Sequence, residues 1–551
     1  MRIGGAQIGL LLAAGLCGCH ASHGLAGSPG DGGEGGVAID AASRVDASEA
    51  GPDASDPPPD ASDLCEPHAM TLQDQWSREP LDAFPDRVHV SATPLVLPPS
   101  RPGGRPRFAF VSHGVIVDPD FARNHEGPEF SGRMPVELGG VLRVFDAETG
   151  ETTSWGDPPL FTTLAPTASL AAGDLDGDGE LELVALGAWG FLHAFELDLT
   201  PMWRSLAPPP APPIGTSGRR PPIHVSGAPV VADLEGDGDV EVVFGHCVVE
   251  GATGEVRFCL EGEHWRGSQG YWGPLVDVAD LTGDGALEVV AGTIAYTARG
   301  EVLWRHEVEG LQGFATVRDV LRAHPGPEVV LVARARLRFL DPRSGRTLQE
   351  LPLPGAPGEA FFGCPGDESP TRVPVFAGGP ALVGDVEGDG SVEVFVAMWG
   401  ELLRVQPECE GCEIGWSVPI HDTQSAVTGV SAADLDGDGR VEIVHADETR
   451  LRVIDARTGE VRHEALNFSR TRTEFPLIGD FDGDGSAEIA VASGSESCML
   501  RTHGRGNPPG LRFFGERLDR WLDADATWMS HGGPLGEGRW RPTRGSPRPC
   551  P

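Results

Sequence analysis

The sequence predicts an all-β chain folded as a β-propeller of seven or eight four-stranded blades, eight preferred, with a calcium loop in the A–B hairpin of most blades. Three observations carry this. An acidic nonapeptide, D-x-[DE]-G-D-G-x-x-E with one Thr variant, recurs from Asp174, Asp233, Asp280, Asp385, Asp434 and Asp480. Each copy lies between short apolar runs, such as Pro229-Val230-Val231 and Val242-Val243-Phe244, so the unit reads strand, carboxylate loop, strand. A second pattern, alternating apolar residues ending in D-x-x-[TS]-G, follows at Leu142 to Gly150, Leu337 to Gly345 and Leu451 to Gly459; it supplies a third strand and a tight turn into a fourth.

Repetition also accounts for the size. At 551 residues the chain exceeds one ordinary core, but repeat folds grow by adding units. The 76 Gly, 49 Pro and 40% hydrophobic residues fit many short strands separated by turns, and little helix is expected before the C-terminal tail. Spacings of roughly 40 to 75 residues suit one small sheet per unit and are too long for the coils of a parallel β-helix. The formal charge of −40 excludes nucleic acid and direct adsorption to an anionic membrane as natural partners and favours cations. Every basic residue is Arg. A lysine nucleophile, a Schiff base and a phosphate loop are therefore ruled out.

The elements follow in order. Residues 1–18 have one early charge, Arg2, then an apolar run from Ile8 to Leu16 too short to span a bilayer, as in a cleaved signal. The junction Leu16-Cys17-Gly18-Cys19 resembles the bacterial lipobox, which makes Cys19 the lipidated residue. In lipoproteins an Asp directly after that Cys favours inner-membrane retention; His20 stands here, which leans towards an outer, cell-surface position. Residues 19–64, rich in Gly, Ala, Ser, Asp and Pro, have almost nothing to bury and read as a disordered tether of on the order of 35 to 40 Å mean reach. The propeller is assigned to residues 65–516. The tail, 517–551 with Trp521 and Trp528, is expected to close the ring or pack beneath it.

Eight further cysteines remain, Cys65, Cys247, Cys259, Cys364, Cys409, Cys412, Cys498 and Cys550. In an oxidising compartment disulfides are the default, and Cys247 with Cys259, flanking one predicted hairpin, is the most credible pair. Cys364 is expected to pair with Cys409 or Cys412.

Six copies of one acidic pattern argue for a bound hard cation. Calcium takes six to eight oxygens, and a turn presenting side chains at alternate positions can surround it. Positions 1, 3, 5 and 9 supply side-chain ligands, and position 7 a backbone carbonyl. In the second unit these are Asp174, Asp176, Asp178 and Glu182, with Glu180 at position 7; in the third, Asp233, Glu235, Asp237 and Glu241, with Asp239. The fourth has Asp280, Thr282, Asp284 and Glu288, with Ala286; the sixth, Asp385, Glu387, Asp389 and Glu393, with Ser391. The seventh has Asp434, Asp436, Asp438 and Glu442, with Arg440; the eighth, Asp480, Asp482, Asp484 and Glu488, with Ser486. About six structural calcium sites are expected, the weakest at Thr282. Two degraded units, residues 92–113 and 313–333, keep the apolar frame without the inner carboxylates and are expected to bind no metal. The competing reading is a hairpin turn with solvated acids. An EF-hand does not fit, because its final Glu lies at position 12 and helices flank it.

Over residues 88–516 the chain resembles the FG-GAP and VCBS repeat families, the propeller type of integrin α-subunits. The resemblance implies calcium in the blade hairpins and a role in extracellular recognition; members mostly have seven blades. In such a ring the acidic loops and the D-x-x-[TS]-G turns share one face. Binding residues are then expected on the other, which would carry Trp189 and Trp399 beside glycines, His246, His445 and the inserts at residues 207–222 and 354–374. An exposed Trp could stack on a sugar or anchor a protein contact; the alternative is packing between blades. No H-E-x-x-H, G-x-S-x-G or phosphate loop occurs, so no catalytic residue is assigned. The expected function is a calcium-stabilised cell-surface adhesion lipoprotein recognising a protein or glycan, with a polysaccharide lyase or hydrolase as the alternative.

Overall fold

The computed structural model describes residues 70–76, 83–116, 136–137, 140–156, 164–187, 190–205, 226–261, 273–307, 313–354, 358–362, 371–375, 378–407, 413–422, 425, 427–469, 471, 474–494, 509–516, 521–524, 540–541 and 543–544. The leader, the tether, Cys19, Trp189 and the insert at 207–222 lie outside them. The described residues form strands and turns with no helix. Eight antiparallel sheets follow one another in chain order around a ring, an eight-bladed β-propeller. The preferred blade count is the observed one.

Strands A to D run from the axis outward. Blade 1 has Leu95–Leu97, Arg107–His113, Val141–Asp146 and Thr152–Trp155. Blade 2 has Ala171–Gly173, Glu182–Leu186, Leu192–Glu196 and Pro201–Arg204; blade 3 has Val230–Ala232, Glu241–Phe244, Cys247–Glu250 and Val256–Cys259. Blade 4 has Asp277–Ala279, Glu288–Ala291, Ile294–Tyr296 and Val302–Arg305; blade 5 has Phe314–Arg318, Glu328–Val332, Arg336–Leu340 and Thr347–Pro352. Blade 6 has Leu382–Gly384, Glu393–Ala397, Glu401–Gln406 and Glu413–Pro419; blade 7 has Val430–Ala433, Glu442–Ala446, Arg450–Asp455 and Val461–Leu466. Blade 8 has Leu477–Gly479, Glu488–Ser493 and Gly510–Glu516, and its D strand is Met70–Gln75.

That last strand closes the ring. The first described segment of the chain pairs antiparallel with the last C strand, from Met70 opposite Glu516 to Gln75 opposite Arg512. The tail does something else: Trp540–Arg541 adds in parallel beside strand A of blade 7. Leu522 N–H donates to Leu435 O at 2.7 Å, and Trp521 is buried in the core between blades 7 and 8. Of the two expected roles for the tail, packing against the ring is the one seen.

Packing explains why one sequence unit makes one blade. A blade's B strand is buried on both faces, as in Glu182–Leu186, whereas its D strand is half exposed, as in Pro201–Arg204. Successive B-strand side chains therefore face opposite neighbours: Leu183 and Ala185 pack against blade 1, Val184 and Leu186 against blade 3. Each blade boundary holds one apolar layer, including the closing one, where Trp76, Phe108 and Phe110 meet Phe481 and Phe513. Phe108 stands 5.2 Å from Phe481 and 5.1 Å from Phe513, both edge to face.

A second device joins blades at their rims. The indole N–H of Trp203, Trp304 and Trp416, each on a D strand, donates to a carbonyl in the next blade's C–D turn: Gly251 at 2.7 Å, Pro342 at 2.7 Å and Ala456 at 2.9 Å. The ring also lies against that turn's glycine. A Cβ on Gly254 would come within 2.4 Å of Trp203, and one on Gly345 within 2.6 Å of Trp304. Gln349 makes the polar equivalent, donating to Pro407 O at 2.7 Å. At the axis, Ala228, Leu275, Phe314, Val427 and Phe475 form one buried cluster. They lie just before or at the start of strand A, at the end of the axis opposite the acidic loops.

The expected disulfide is present, joining Cys247 on strand C to Cys259 on strand D of blade 3. The other cysteines lie outside the described residues. The insert at 354–374 contributes a hairpin of Gly358–Phe362 and Thr371–Val375.

Candidate functional site

All six acidic nonapeptides join strands A and B of blades 2, 3, 4, 6, 7 and 8. Strand polarity puts them on one face with the C–D turns. Their path is set first by the backbone. In blade 2 Asp174 accepts Gly177 N–H at 2.7 Å on one oxygen and Gly179 N–H at 3.0 Å on the other. Both glycines have positive φ, 79° and 91°, a region other residues enter only with strain. Asp178 accepts Glu180 N–H at 2.8 Å. The same pattern recurs in blades 3, 4, 7 and 8, through Asp233, Asp280, Asp434 and Asp480 at position 1 and Asp237, Asp284, Asp438 and Asp484 at position 5. In blade 6 Asp385 binds the amides of Asp389 and Gly390, and Asp389 that of Ser391. The position-7 residues Asp239, Ala286, Arg440 and Ser486 enter as these amide donors. The carboxylates of positions 1 and 5 thus shape the turn through its backbone amides.

Position 9 behaves differently. Glu182, Glu241, Glu288, Glu393, Glu442 and Glu488 are each no more than 2% exposed. One oxygen of each accepts the position-2 amide: Leu175, Leu234, Leu281, Val386, Leu435 or Phe481, at 2.6 to 3.1 Å. Glu328 of blade 5 does the same with Val320 and Leu321. This glutamate survives where the inner carboxylates are lost, so its first duty is to the fold. Its second oxygen faces the loop. Burial pushes the Glu182 carboxyl up to about 7, Glu442 to about 8 and Glu488 to about 9, with nearby loop aspartates adding to each shift.

Among the described residues, acidic ligand atoms converge within 4.8 Å in three loops: Asp174, Asp176 and Glu182 in blade 2; Asp434, Asp436 and Glu442 in blade 7; Asp480, Asp482 and Asp484 in blade 8. These clusters could hold a metal ion. In blades 2 and 7 the second oxygen of the position-9 residue, Glu182 or Glu442, is buried without a hydrogen-bond partner. Blade 2 fits best, because Arg462 stands 3.2 Å from Glu442 in blade 7 and every donor in the blade 2 cluster is a hard oxygen, suited to calcium. Thr282 leaves blade 4 one carboxylate short, and its hydroxyl is also buried without a partner.

Sequence reasoning missed the arginines that enter three of the loops, that of blade 7 included. In blade 3 Arg257 lies 2.9 Å from Glu235, 2.8 Å from Glu241 and 2.6 Å from Glu250. In blade 6 Arg404 lies 2.6 Å from Glu387 and 3.3 Å from Glu393. In blade 7 Arg462 lies 2.8 Å from Asp436 and 3.2 Å from Glu442, and also pairs with Asp455. A signal existed: the two loops with Glu at position 3 are those of blades 3 and 6, and both glutamates pair with arginine.

The opposite face carries the B–C turns. Trp399 is half buried there, before Gly400 at φ 75°. His246 and His445, expected as surface groups, are buried, the latter completely. His445 Nε2 is 3.1 Å from Thr428 Oγ1, and burial pushes its pKa down to about 4. Asp422 accepts Ser425 N–H at 2.9 Å and its hydroxyl at 2.8 Å, while Asp447 pairs with Arg452. The two carboxylates and His445 Nε2 are thus held within the cluster, while His445 Nδ1 is buried without a hydrogen-bond partner.

The chain matches no family model and no curated protein sequence. Among solved structures it is similar to the biofilm matrix protein Bap1 of V. cholerae, with a TM-score of 0.58 and 16% identity over 87% of this chain and 99% of that one. It is also similar to the exotype rhamnogalacturonan lyase YesX, with a TM-score of 0.49 and 15% identity over 88% of this chain and 84% of that one. At 16% identity the likeness to the first bears on the fold alone.

Proposed function

We propose that this chain is a calcium-stabilised binding or adhesion lipoprotein of the bacterial cell surface, an FG-GAP/VCBS-type propeller anchored through Cys19 and recognising an extracellular protein or glycan. The acidic face holds the ions and the opposite face, with Trp399 on a B–C turn, meets the partner. Binding is favoured over catalysis by one observation. The buried acids at the B–C end, Asp422 and Asp447, are engaged with Ser425 and Arg452, and His445, bound to Thr428 through Nε2, is completely buried, whereas an acid/base pair needs groups free to reach a substrate. The similarity to a matrix protein is in keeping with an extracellular role.

The test is a glycan array and a cell-surface pull-down with the mature protein, followed by a turnover assay on every glycan that binds. Binding without product supports this reading. Unsaturated sugar products would replace it with a polysaccharide lyase, and protein partners alone would make it a scaffold.

A further inference from the structure

The pairing of strands C and D slips by one residue in each of blades 2 to 8, and the slip leaves one D-strand residue unopposed: Met202, Arg257, Leu303, Leu348, Gly415, Arg462 and Gln73 in turn. Such a bulge re-aims a side chain out of the ladder. Met202, Leu303 and Leu348 pack against the apolar layers between blades, whereas a charged bulge residue turns to the blade's own A–B loop. In blades 3 and 7 the bulge residue is Arg, and its guanidinium reaches the loop's position-3 and position-9 carboxylates. In blade 6 the bulge residue is Gly415, which has no side chain to turn to the loop and lies beside Arg404 of strand C. Arg404 then takes the same two carboxylates, Glu387 and Glu393. In blade 2 the bulge residue is Met202, and among the described residues no arginine pairs with the loop; the inward oxygen of Glu182 is buried without a hydrogen bond. That of Glu442 in blade 7 is too, but it has the Arg462 guanidinium at 3.2 Å.

We infer that the D-strand bulge decides which cation neutralises each acidic loop: a guanidinium of the chain itself in blades 3, 6 and 7, and a bound divalent ion where the bulge residue is uncharged, blade 2 above all. The inference rests on the calcium reading of the acidic loops and divides it. A guanidinium within 2.6 to 3.3 Å of both inward carboxylates occupies the space and the lone pairs that an ion at about 2.3 to 2.6 Å from each oxygen would need. Both cations cannot be held at once. The repeated acidic sequence therefore overstates the number of ions, and the blades divide into ion-dependent and ion-independent ones.

The test counts calcium ions per chain by native mass spectrometry of the mature protein, alone and in two substitutions of opposite sense. Arg257→Met, which copies blade 2 into blade 3, is expected to add one ion and to make thermal unfolding more sensitive to chelation. Met202→Arg, the reverse exchange, is expected to remove one ion. Arg404→Leu is the second gain-of-site variant should Arg257→Met fail to fold without calcium. A wild type that binds no calcium overturns the calcium reading itself. A wild type that binds calcium, with counts unmoved by these exchanges, overturns the bulge rule alone.

Discussion

Trp416 donates its indole N–H to the carbonyl of Ala456 at 2.9 Å, across the boundary between blades 6 and 7. Trp203 with Gly251 and Trp304 with Pro342 repeat the contact at two other boundaries. In all three the tryptophan directly follows the D-strand bulge. Trp304 is 6% exposed. Trp304→Phe should cost about 0.5 to 1.5 kcal/mol for the hydrogen bond, and Trp304→Ala about 3 to 5 kcal/mol. Equal melting temperatures for the two variants would show that the indole N–H and the ring do not hold the blades.

Gly345 supplies the converse test. Its φ is 64° and an added Cβ would meet Trp304 at 2.6 Å. Gly345→Ala should destabilise by at least about 1 kcal/mol from backbone strain, with more from the displaced indole, read as a lower denaturation midpoint.

Ring closure depends on Met70–Gln75. Removing residues 70–76 strips blade 8 of its D strand and the closing core of Trp76. The truncated chain should melt lower and lose protection first in Gly510–Glu516, measured by hydrogen exchange. Unchanged protection there would mean that the ring does not need this strand.

Acid should destabilise through His445. Its ordinary pKa of 6.5 falls to about 4 on burial, so the unfolded chain binds the proton first. The stability it contributes is complete above pH 6.5 and is lost as pH falls towards 4, by up to about 3 kcal/mol. His445→Gln should flatten the stability profile across that window, and a variant with the wild-type slope would assign the acid sensitivity elsewhere.

Much of this was legible in the chain because a repeat exposes what its copies share. The acidic nonapeptide placed strands A and B in six blades, the D-x-x-[TS]-G turn placed C and D in three, and the two units without the loop, residues 92–113 and 313–333, were found from their apolar frame. Those signals are local, set by backbone geometry within a few residues. What stayed hidden depends on pairing between distant strands. That Met70–Gln75 belongs to the last blade follows from the sheet, since nothing in MTLQDQ resembles a D strand of the series. Arg257 and Arg462 look like ordinary surface residues until the C–D register shows them on bulges. His445 carried no sign of burial, because its neighbours in space, Thr428 and Asp447, reach it from strand ends that only the folded blade brings together.

The most direct measurement is thermal unfolding of the full chain with calcium and with EDTA, paired with limited proteolysis. The account predicts a lower melting temperature on chelation and new cleavage within the acidic loop of residues 174–182, where the second oxygen of Glu182 has no hydrogen-bond partner. It predicts no new cleavage within residues 233–241, where Arg257 stands in for the ion. An unchanged melt and unchanged cleavage on removing calcium would contradict it.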